Sequence, residues 1–585
     1  MLDASVISFE PHTKGLVAWI FSTTFAHKID RTAPMKILWL DLNSSYAHAS
    51  LALPALHAQQ DTASPTEWEV VSATINENPG PVVEQIHDRQ PDIVAATAWL
   101  FNHETLLHIV ARVKALLPHC CLVLGGPEFL DDNESYLRRH PYVDCVFRGE
   151  GEEVFHQWLA CKEERQAWRH IPGLCYIDPE SDAYVDNGTA RVRHFDKLAP
   201  PEASRFFNWS KPFVQLETTR GCFNTCAFCV SGGEKPVRLL PIESIAQRLD
   251  CIRQHGIRDV RILDRTFNYN ASRARALLEL FRSYHPALHF HLEIHPALLT
   301  EELKSLLAGM PAGLLHLEAG IQSLHEDVLE ACGRKGGLKD SLSGLQFLCS
   351  LSNVVTHADL IAGLPRYSLP QIFADVRALA SYRAGEIQLE SLKVLPGTEM
   401  KRRAAGWGLS YSPLPPYEVL KTPDITPAEL QTSRRLSRLL DGYYNTSAWQ
   451  EVTRCLILHD ENFLHIFLDE LVRQGVIDQP LSLERRGILL YDFCQKHYPD
   501  FTLSVSQAWI EAGLSLKKKP AERVKTKRQV PPECWEVLKG FYKPSLRLYF
   551  LPADETGEQG YWYGYESERQ EVYPVFKAKS ILHKD

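Results

Sequence analysis

The chain has 585 residues, 45% of them hydrophobic and 23% charged, which places it among globular proteins and sets disorder aside. Its 63 basic and 72 acidic residues give a net charge of −9, so a nucleic-acid partner, which would call for a basic excess, is not expected. The apolar run at residues 15–26 is too short and too polar to span a bilayer, and 14 cysteines are too sparse for a disulfide scaffold, so reduced thiols and a cytoplasmic setting are expected.

The length allows roughly three or four domains. Residues 1–34 read as a peripheral extension, because Met35 opens a clean apolar strand. From there strands are predicted at 36–42, 68–73, 92–99, 121–124 and 143–147, with helices at 47–58, 81–89 and 104–117 between them. That alternation over 35–160 implies a doubly wound parallel sheet. Ligands of such sheets lie beyond the carboxyl ends of the strands, here the turns at 41–48, 97–103, 125–128 and 148–152. A proline-bearing connector at 161–204, with a hairpin around 174–192, leads on.

The stretch 211–233 places Cys222, Cys226 and Cys229 in a C-x3-C-x2-C spacing just after an apolar strand. So compact a loop can bring three sulfurs to one metal or cluster but cannot complete a four-thiolate shell, which leaves a coordination position open. No C-x2-C or H-x3-H partner follows within about thirty residues, as a structural zinc site would require. Strands at 213–217, 260–263, 290–294, 314–317, 357–361 and 387–394, with helices such as 242–255 between them, make six βα units over 205–405. That is a partial (β/α)6 TIM-type barrel, whose site lies at the carboxyl ends of its strands. Polar residues stand at those ends: Asp264 and Asn268, Glu293 and His295, Glu318 and Gln322, Asp359, Gly363 and the 395–398 turn. No single one exceeds a cap or turn residue in significance, but together they suggest one lined cavity.

With Phe228 before the third thiol, the loop resembles that of the radical S-adenosylmethionine (radical SAM) superfamily. The resemblance implies a [4Fe-4S] cluster on Cys222, Cys226 and Cys229, S-adenosylmethionine (SAM) chelated to its fourth iron, and reductive cleavage to a 5′-deoxyadenosyl radical. It also implies SAM contacts after the second, fourth, fifth and sixth strands, with Phe228, Asp264, Asn268, Glu318, Gln322, Gly363 and Pro396 as candidates. The first domain is similar to the cobalamin-binding domain of one branch of that superfamily, through its Gly-Gly-Pro-Glu turn at 125–128 and its Arg-Gly-Glu-Gly-Glu turn at 148–152. Asn43, Ser44, Thr97, Gly125, Gly126 and Glu150 are the cobalamin candidates. The D-x-H-x-x-G motif that gives cobalt a histidine is absent; Asn43-Ser-Ser-Tyr-Ala-His48 takes its place, and His48 reads better as a turn histidine than as a ligand.

Residues 406–585 carry no cofactor motif and read as a mainly helical accessory domain, with a helix over 427–444, a basic linker at 517–528 and a hairpin at 546–565. The reading is thus α/β: a doubly wound sheet, a partial barrel and helices. By the resemblance the enzyme transfers a methyl group to an unactivated centre, acts on a small-molecule or peptide substrate, and takes electrons from a flavodoxin or ferredoxin; no catalytic residue is assigned. Two rivals stand beside it. One is a radical SAM methylthiotransferase acting on RNA or protein, which needs a second cluster from three N-terminal cysteines, drawn from Cys120, Cys121, Cys145, Cys161 and Cys175, and the other is a non-enzymatic zinc-binding module.

Overall fold

The structure, a computed structural model, describes residues 34–60, 66–527, 546–553, 560–566 and 571–576. The extension expected over 1–34 lies outside the described residues except for Pro34.

The first sheet holds β1 (Met35–Asn43), β2 (Thr66–Thr74), β3 (Ile93–Thr97), β4 (Cys121–Gly125) and β5 (Cys145–Phe147), joined by α1 (Ala52–His57), α2 (Pro79–Arg89), α3 (His103–Leu116), α4 (Glu134–Arg139) and α5 (Val154–Ala160). The strands run in the order β2-β1-β3-β4-β5, all parallel, so the order reverses between β1 and β3. Alternate residues serve opposite faces: Leu38, Leu40, Val94, Ala96, Leu122 and Leu124 enter the core under α2 and α3, while Ile37, Trp39, Ile93, Ala95 and Val123 enter the one under α5. Burial on both faces is what makes these strands continuous apolar runs.

The expected connector is not separate. Its hairpin, β6 (Leu174–Ile177) and β7 (Tyr184–Asp186), adds antiparallel to β5 and brings the sheet to seven strands. Three consecutive buried residues, Leu174, Cys175 and Tyr176, fill both faces of the sheet edge, and that burial holds the hairpin there.

The barrel strands follow: β8 (Phe213–Leu216), then a ribbon of β9 (Thr219–Arg220) and β10 (Arg238–Leu239) that closes the neck of the cysteine loop, then β11 (Asp259–Ile262), β12 (His289–Ile294), β13 (Leu315–Gln322), β14 (Val355–Ala362) and β15 (Glu386–Ser391). They form one parallel sheet in the order β15-β14-β13-β12-β11-β8, with β15 and β8 as its edges, so the barrel is partial. Outside it lie α6 (Ile242–Gln254), α7 (Ala271–Ser283), α8 (Glu301–Ala308), α9 (Glu326–Ala331), α10 (Leu338–Ser350), α11 (Leu369–Ser381) and α12 (Glu399–Arg403). Ser368 and Gln371 close a capping box on α11.

After the barrel comes an antiparallel ribbon of β16 (Ser410–Tyr411) and β17 (Val419–Lys421). Helices α13 (Pro427–Leu439), α14 (Gln450–His459), α15 (Phe463–Arg473), α16 (Leu483–His497) and α17 (Thr502–Glu511) follow, then an antiparallel sheet of β18 (Lys525–Lys527), β19 (Leu546–Pro552), β20 (Gly560–Glu566) and β21 (Glu571–Phe576). These helices do not form a core of their own: Leu436, Tyr444, Leu456 and Phe467 belong to the same apolar cluster as Leu317, Leu360 and Ile387 of the barrel. The start of the expected basic linker is also folded. Pro520 and Ala521 are buried, and Lys519 meets Asp492 of α16 at 2.5 Å.

Candidate functional site

The cysteine loop is held by backbone hydrogen bonds from several directions. Cys222 N donates to Glu234 O at 3.1 Å, Ala227 N to Cys332 O at 2.8 Å, and Met400 N to Ala227 O at 2.7 Å. Asn224 Oδ1 accepts from the backbone N–H of Thr225 and of Lys335. All three thiols are free, Cys222 and Cys226 buried and Cys229 half-buried. Burial pushes the Cys226 and Cys229 thiols up, while the guanidinium of Arg334 pulls Cys226 back and that of Arg265 pulls Cys229 back. Arg334 Nη1 also donates to Cys226 Sγ at 3.7 Å.

These residues fit an iron–sulfur cluster, because two cations stand ready to offset thiolate charge. Among the described residues one group of three candidate metal ligands brings its atoms within 4.8 Å of one another, and it is not this trio. The five cysteines from which a second cluster would draw are split by the first sheet: Cys120 and Cys175 lie in the core under one face, and Cys121, Cys145 and Cys161 in or against the core under the other.

The candidate SAM contacts divide by what their polar atoms already do. Asp264, 1% exposed, accepts from the backbone N–H of Thr218 and of Thr219, each at 2.8 Å, and from the Thr218 hydroxyl. It fixes the entry to the cysteine loop. Asn268 exchanges two hydrogen bonds with the backbone of His295, at 2.9 and 2.8 Å, and ties β11 to β12. A Cβ at Gly363 would meet Leu430, Val419 and Leu392 at 3.5–3.6 Å. Phe228 packs at the margin of the barrel core. Gln322 is different: it takes φ of +68° at the end of β13, beside an irregularity in the β13–β14 register, and its buried Oε1 has no hydrogen-bond partner. Such strain in a non-glycine residue suits a position where the amide serves a ligand.

Glu318 lies deeper, on the lumen face of β13, 2.9 Å from His291 Nε2. With it the strands turn a polar face inward: His291 and Glu293 on β12, His316 and Glu318 on β13, His357 and Asp359 on β14, Glu386 on β15. Register brings Glu293 opposite Glu318 and His357 opposite Glu386. Burial, with Glu318 and Asp359 nearby and Arg265 partly offsetting them, pushes the Glu293 carboxyl up to about 7. The interior histidines lie outside the strand-end residues expected from the sequence, although the polar–apolar alternation of His289–Ile294 signals them.

At the carboxyl edge of the first sheet, Gly126 takes φ of +110°, and a Cβ there would meet Ala98 O and Thr97 Cγ2 at 2.7 Å. The glycine therefore serves close packing of two turns, one of them carrying Thr97. Beside it Gly125 is roomier, with Phe147 Cβ 3.9 Å from a built Cβ. Asn43 bonds Asp41 at 2.8 Å on the turn that carries Ser44. His48 bonds Ser45 Oγ at 2.8 Å and meets the Phe213 ring edge-on at 5.6 Å. Below the 97–103 turn, both ring nitrogens of His103 and the hydroxyl of Tyr136 are buried without hydrogen-bond partners. These orphaned polar groups fit a ligand at this edge.

Three of the four edge turns are bonded to the barrel side. Lys211 donates to Tyr46 O. Glu150 meets Arg238 at 2.6 Å, and Glu152 meets Arg220 at 2.6 Å while Arg220 also holds Glu217 at 2.7 Å. Glu150 is therefore engaged between domains. In the third contact Tyr417 donates to Glu128 at 2.5 Å, Lys401 pairs with Asp131 at 3.0 Å, and Gly397 lies so close to Leu130 that a Cβ would come 2.8 Å from its carbonyl oxygen. Because Met400 bonds Ala227, the 397–400 segment bridges the first sheet's edge and the cysteine loop. Pro396 precedes this bridge.

Three family models match parts of the chain. The radical SAM superfamily matches residues 216–377, the B12 binding domain residues 54–159, and a family of unknown function, DUF4080, residues 405–510. Among curated proteins, 2-(S-pantetheinyl)-carbapenam-3-carboxylate methyltransferase of Streptantibioticus cattleyicolor is 26% identical, over 57% of this chain and 52% of its own length. The cobalamin-dependent radical SAM methyltransferase TokK of Streptomyces tokunonensis is 25% identical, over 47% and 43%. The chain thus spans about half the length of these relatives. Among solved structures, the cobalamin-dependent SAM radical enzyme OxsB with aqua-cobalamin and SAM bound shares the fold, with a TM-score of 0.57 at 14% identity over 82% of this chain and 80% of that one. The cofactors that go with the two matched domains are a [4Fe-4S] cluster, SAM and a cobalamin. The chain thus carries a match to the B12 binding domain followed by a match to the radical SAM superfamily, in that order along the sequence.

Proposed function

We propose that the protein is a cobalamin-dependent radical SAM methyltransferase that transfers a methyl group to an unactivated centre of a small or peptide substrate held in the barrel lumen. The observation that carries this reading is the 397–400 bridge, which sets the ligand-binding edge of the first sheet beside the cysteine loop. The names of the carbapenam-carboxylate methyltransferase and of TokK favour methyl transfer over other outcomes of the same cofactors.

When bound, the cluster with SAM supplies a 5′-deoxyadenosyl radical, and the cobalamin supplies a methyl donor. The chain's own residues do the rest. Cys222, Cys226 and Cys229 hold iron, with Arg334 and Arg265 offsetting the thiolate charge. Gln322 Oε1 is an unused acceptor at the lumen mouth, suited to a SAM N–H or hydroxyl. Glu293, with its raised pKa of about 7, can hold a proton near neutrality or give it up. Asp264 and Asn268 position the loops that carry these groups. Electrons come from an external donor of the flavodoxin or ferredoxin class.

Anaerobic protein reconstituted with iron, sulfide and hydroxocobalamin, then given SAM and a reductant, tests the reading. Formation of both 5′-deoxyadenosine and S-adenosylhomocysteine is expected, the first abolished by Cys226→Ala. 5′-Deoxyadenosine alone would leave a radical enzyme that transfers no methyl group.

A further inference from the structure

We propose that His316, His357 and Glu386, on three adjacent strands of the barrel, form a binding site for a divalent transition-metal ion such as zinc, separate from the cysteine loop. One ligand atom from each of the three lies within 4.8 Å of the others. They sit on β13, β14 and β15 with their side chains on the lumen face, near the amino-terminal ends of those strands and so at the opposite end of the barrel from the cysteine loop. Two imidazoles and a carboxylate are a donor set for borderline ions such as zinc, iron(II) or cobalt(II), and three ligands leave positions open.

Two further observations point to a missing ligand. The Nε2 atoms of both His316 and His357 are buried without a hydrogen-bond partner, and His357 is only 5% exposed. His357 Nε2 lies 2.9 Å from Asp359 Oδ1, an ion pair when the ring is protonated. A protonated His357 among Asp359, Glu318 and Glu386 would account for the acidic charge yet leave His316 orphaned. A dication satisfies both imidazoles and the Glu386 carboxylate at once. The surroundings suit it too: Glu318 and Asp359 stand beside the ligands, and His291 braces Glu318 at 2.9 Å, as outer carboxylates do at metal sites. Of the three ligands, Glu386 also lines a cavity of about 320 Å³ with Arg383, Asn445 and Gln450.

The test is metal analysis of the anaerobically reconstituted holoenzyme after exposure to one equivalent of zinc and gel filtration. About one zinc per chain is expected in addition to the cluster iron, with at least a tenfold loss of zinc in His316→Ala and in His357→Ala and unchanged iron in both. Glu386→Gln, on the half-buried rim, should weaken zinc retention at normal thermal stability, and exposed His119→Ala should retain it. Cobalt(II) in place of zinc should give visible d–d bands that vanish in His357→Ala. A wild-type holoenzyme that retains no zinc overturns the proposal whatever the variants do. So does retention that survives the His316→Ala/His357→Ala double substitution.

Discussion

The two sheets that carry cofactor-binding elements solve burial in opposite ways. Every central strand of the first sheet is apolar on both faces, because helices cover both, and its polar residues are pushed to the turns. The barrel strands are apolar only outward; inward they present His291, Glu293, His316, Glu318, His357 and Asp359. In the first sheet, then, function depends on backbone shape at the edge. In the barrel it depends on side chains held along the strands, where polar groups are partly desolvated.

The largest break in this contrast comes from the cysteine loop. Cys222→Ala, Cys226→Ala or Cys229→Ala should cut iron from about four per chain to background, while cobalamin retained after gel filtration stays at the wild-type level. Loss of both together would mean that the first domain depends on the barrel's cluster to fold.

Next in size is the seam between the sheets. Arg220→Ala leaves Glu152 and Glu217, and part of the pairing of Glu150, without a cation in a desolvated setting. A loss of about 3–5 kcal/mol in chemical denaturation is expected. Burial works against Glu150, but Arg238, Val192 and Arg220 more than compensate and hold its pKa below the usual 4.5. Its contribution is therefore present above about 4.5 and lost as pH falls through the lower folded value. The gap between wild type and Arg220→Ala should narrow in acid.

Backbone shape at the first sheet's edge is probed by a neighbouring pair. Gly126→Ala forces a side chain into φ of +110° and against Ala98 O, at a cost of about 1–3 kcal/mol, whereas Gly125→Ala meets only ordinary contact and should be near neutral. Equal melting shifts for the two would deny that edge geometry is specific.

The smallest effect should have the opposite sign. Glu293 has its pKa raised from 4.5 to about 7, so its favourable contribution is complete below about 4.5 and is lost as pH rises through about 7. Glu293→Gln should therefore raise stability at pH 8, by at most about 3 kcal/mol and nearer to about 1 because water still reaches the carboxyl, and should match wild type near pH 4. A variant less stable than wild type at pH 8 would show that the lumen favours the charge.

Periodicity made both parallel sheets legible: each of the strands read between 36 and 147 and between 213 and 394 is present, in the expected order. The cysteine trio stands out from the sequence because its spacing is chemical. Side-chain direction was not. Asp264 and Asn268 are polar residues at strand ends, as a ligand contact would be, yet both are consumed by backbone groups from elsewhere in the chain. Composition cannot separate the two uses, since the partners lie 46 and 27 residues away. The 174–192 hairpin escaped assignment to the first sheet for a similar reason, because its partner strand is chosen by edge pairing and not by its own pattern.

The bridge at 397–400 also has a meaning for engineering. Leu130 of one domain and Ala227 of the other are matched to the same four residues, so the domains are not exchangeable cassettes. A chimaera that grafts a foreign B12-binding domain onto this barrel would have to carry over the partner of Gly397 along with the graft. One that sets a foreign barrel behind this first domain would have to keep residues 397–400 of this chain.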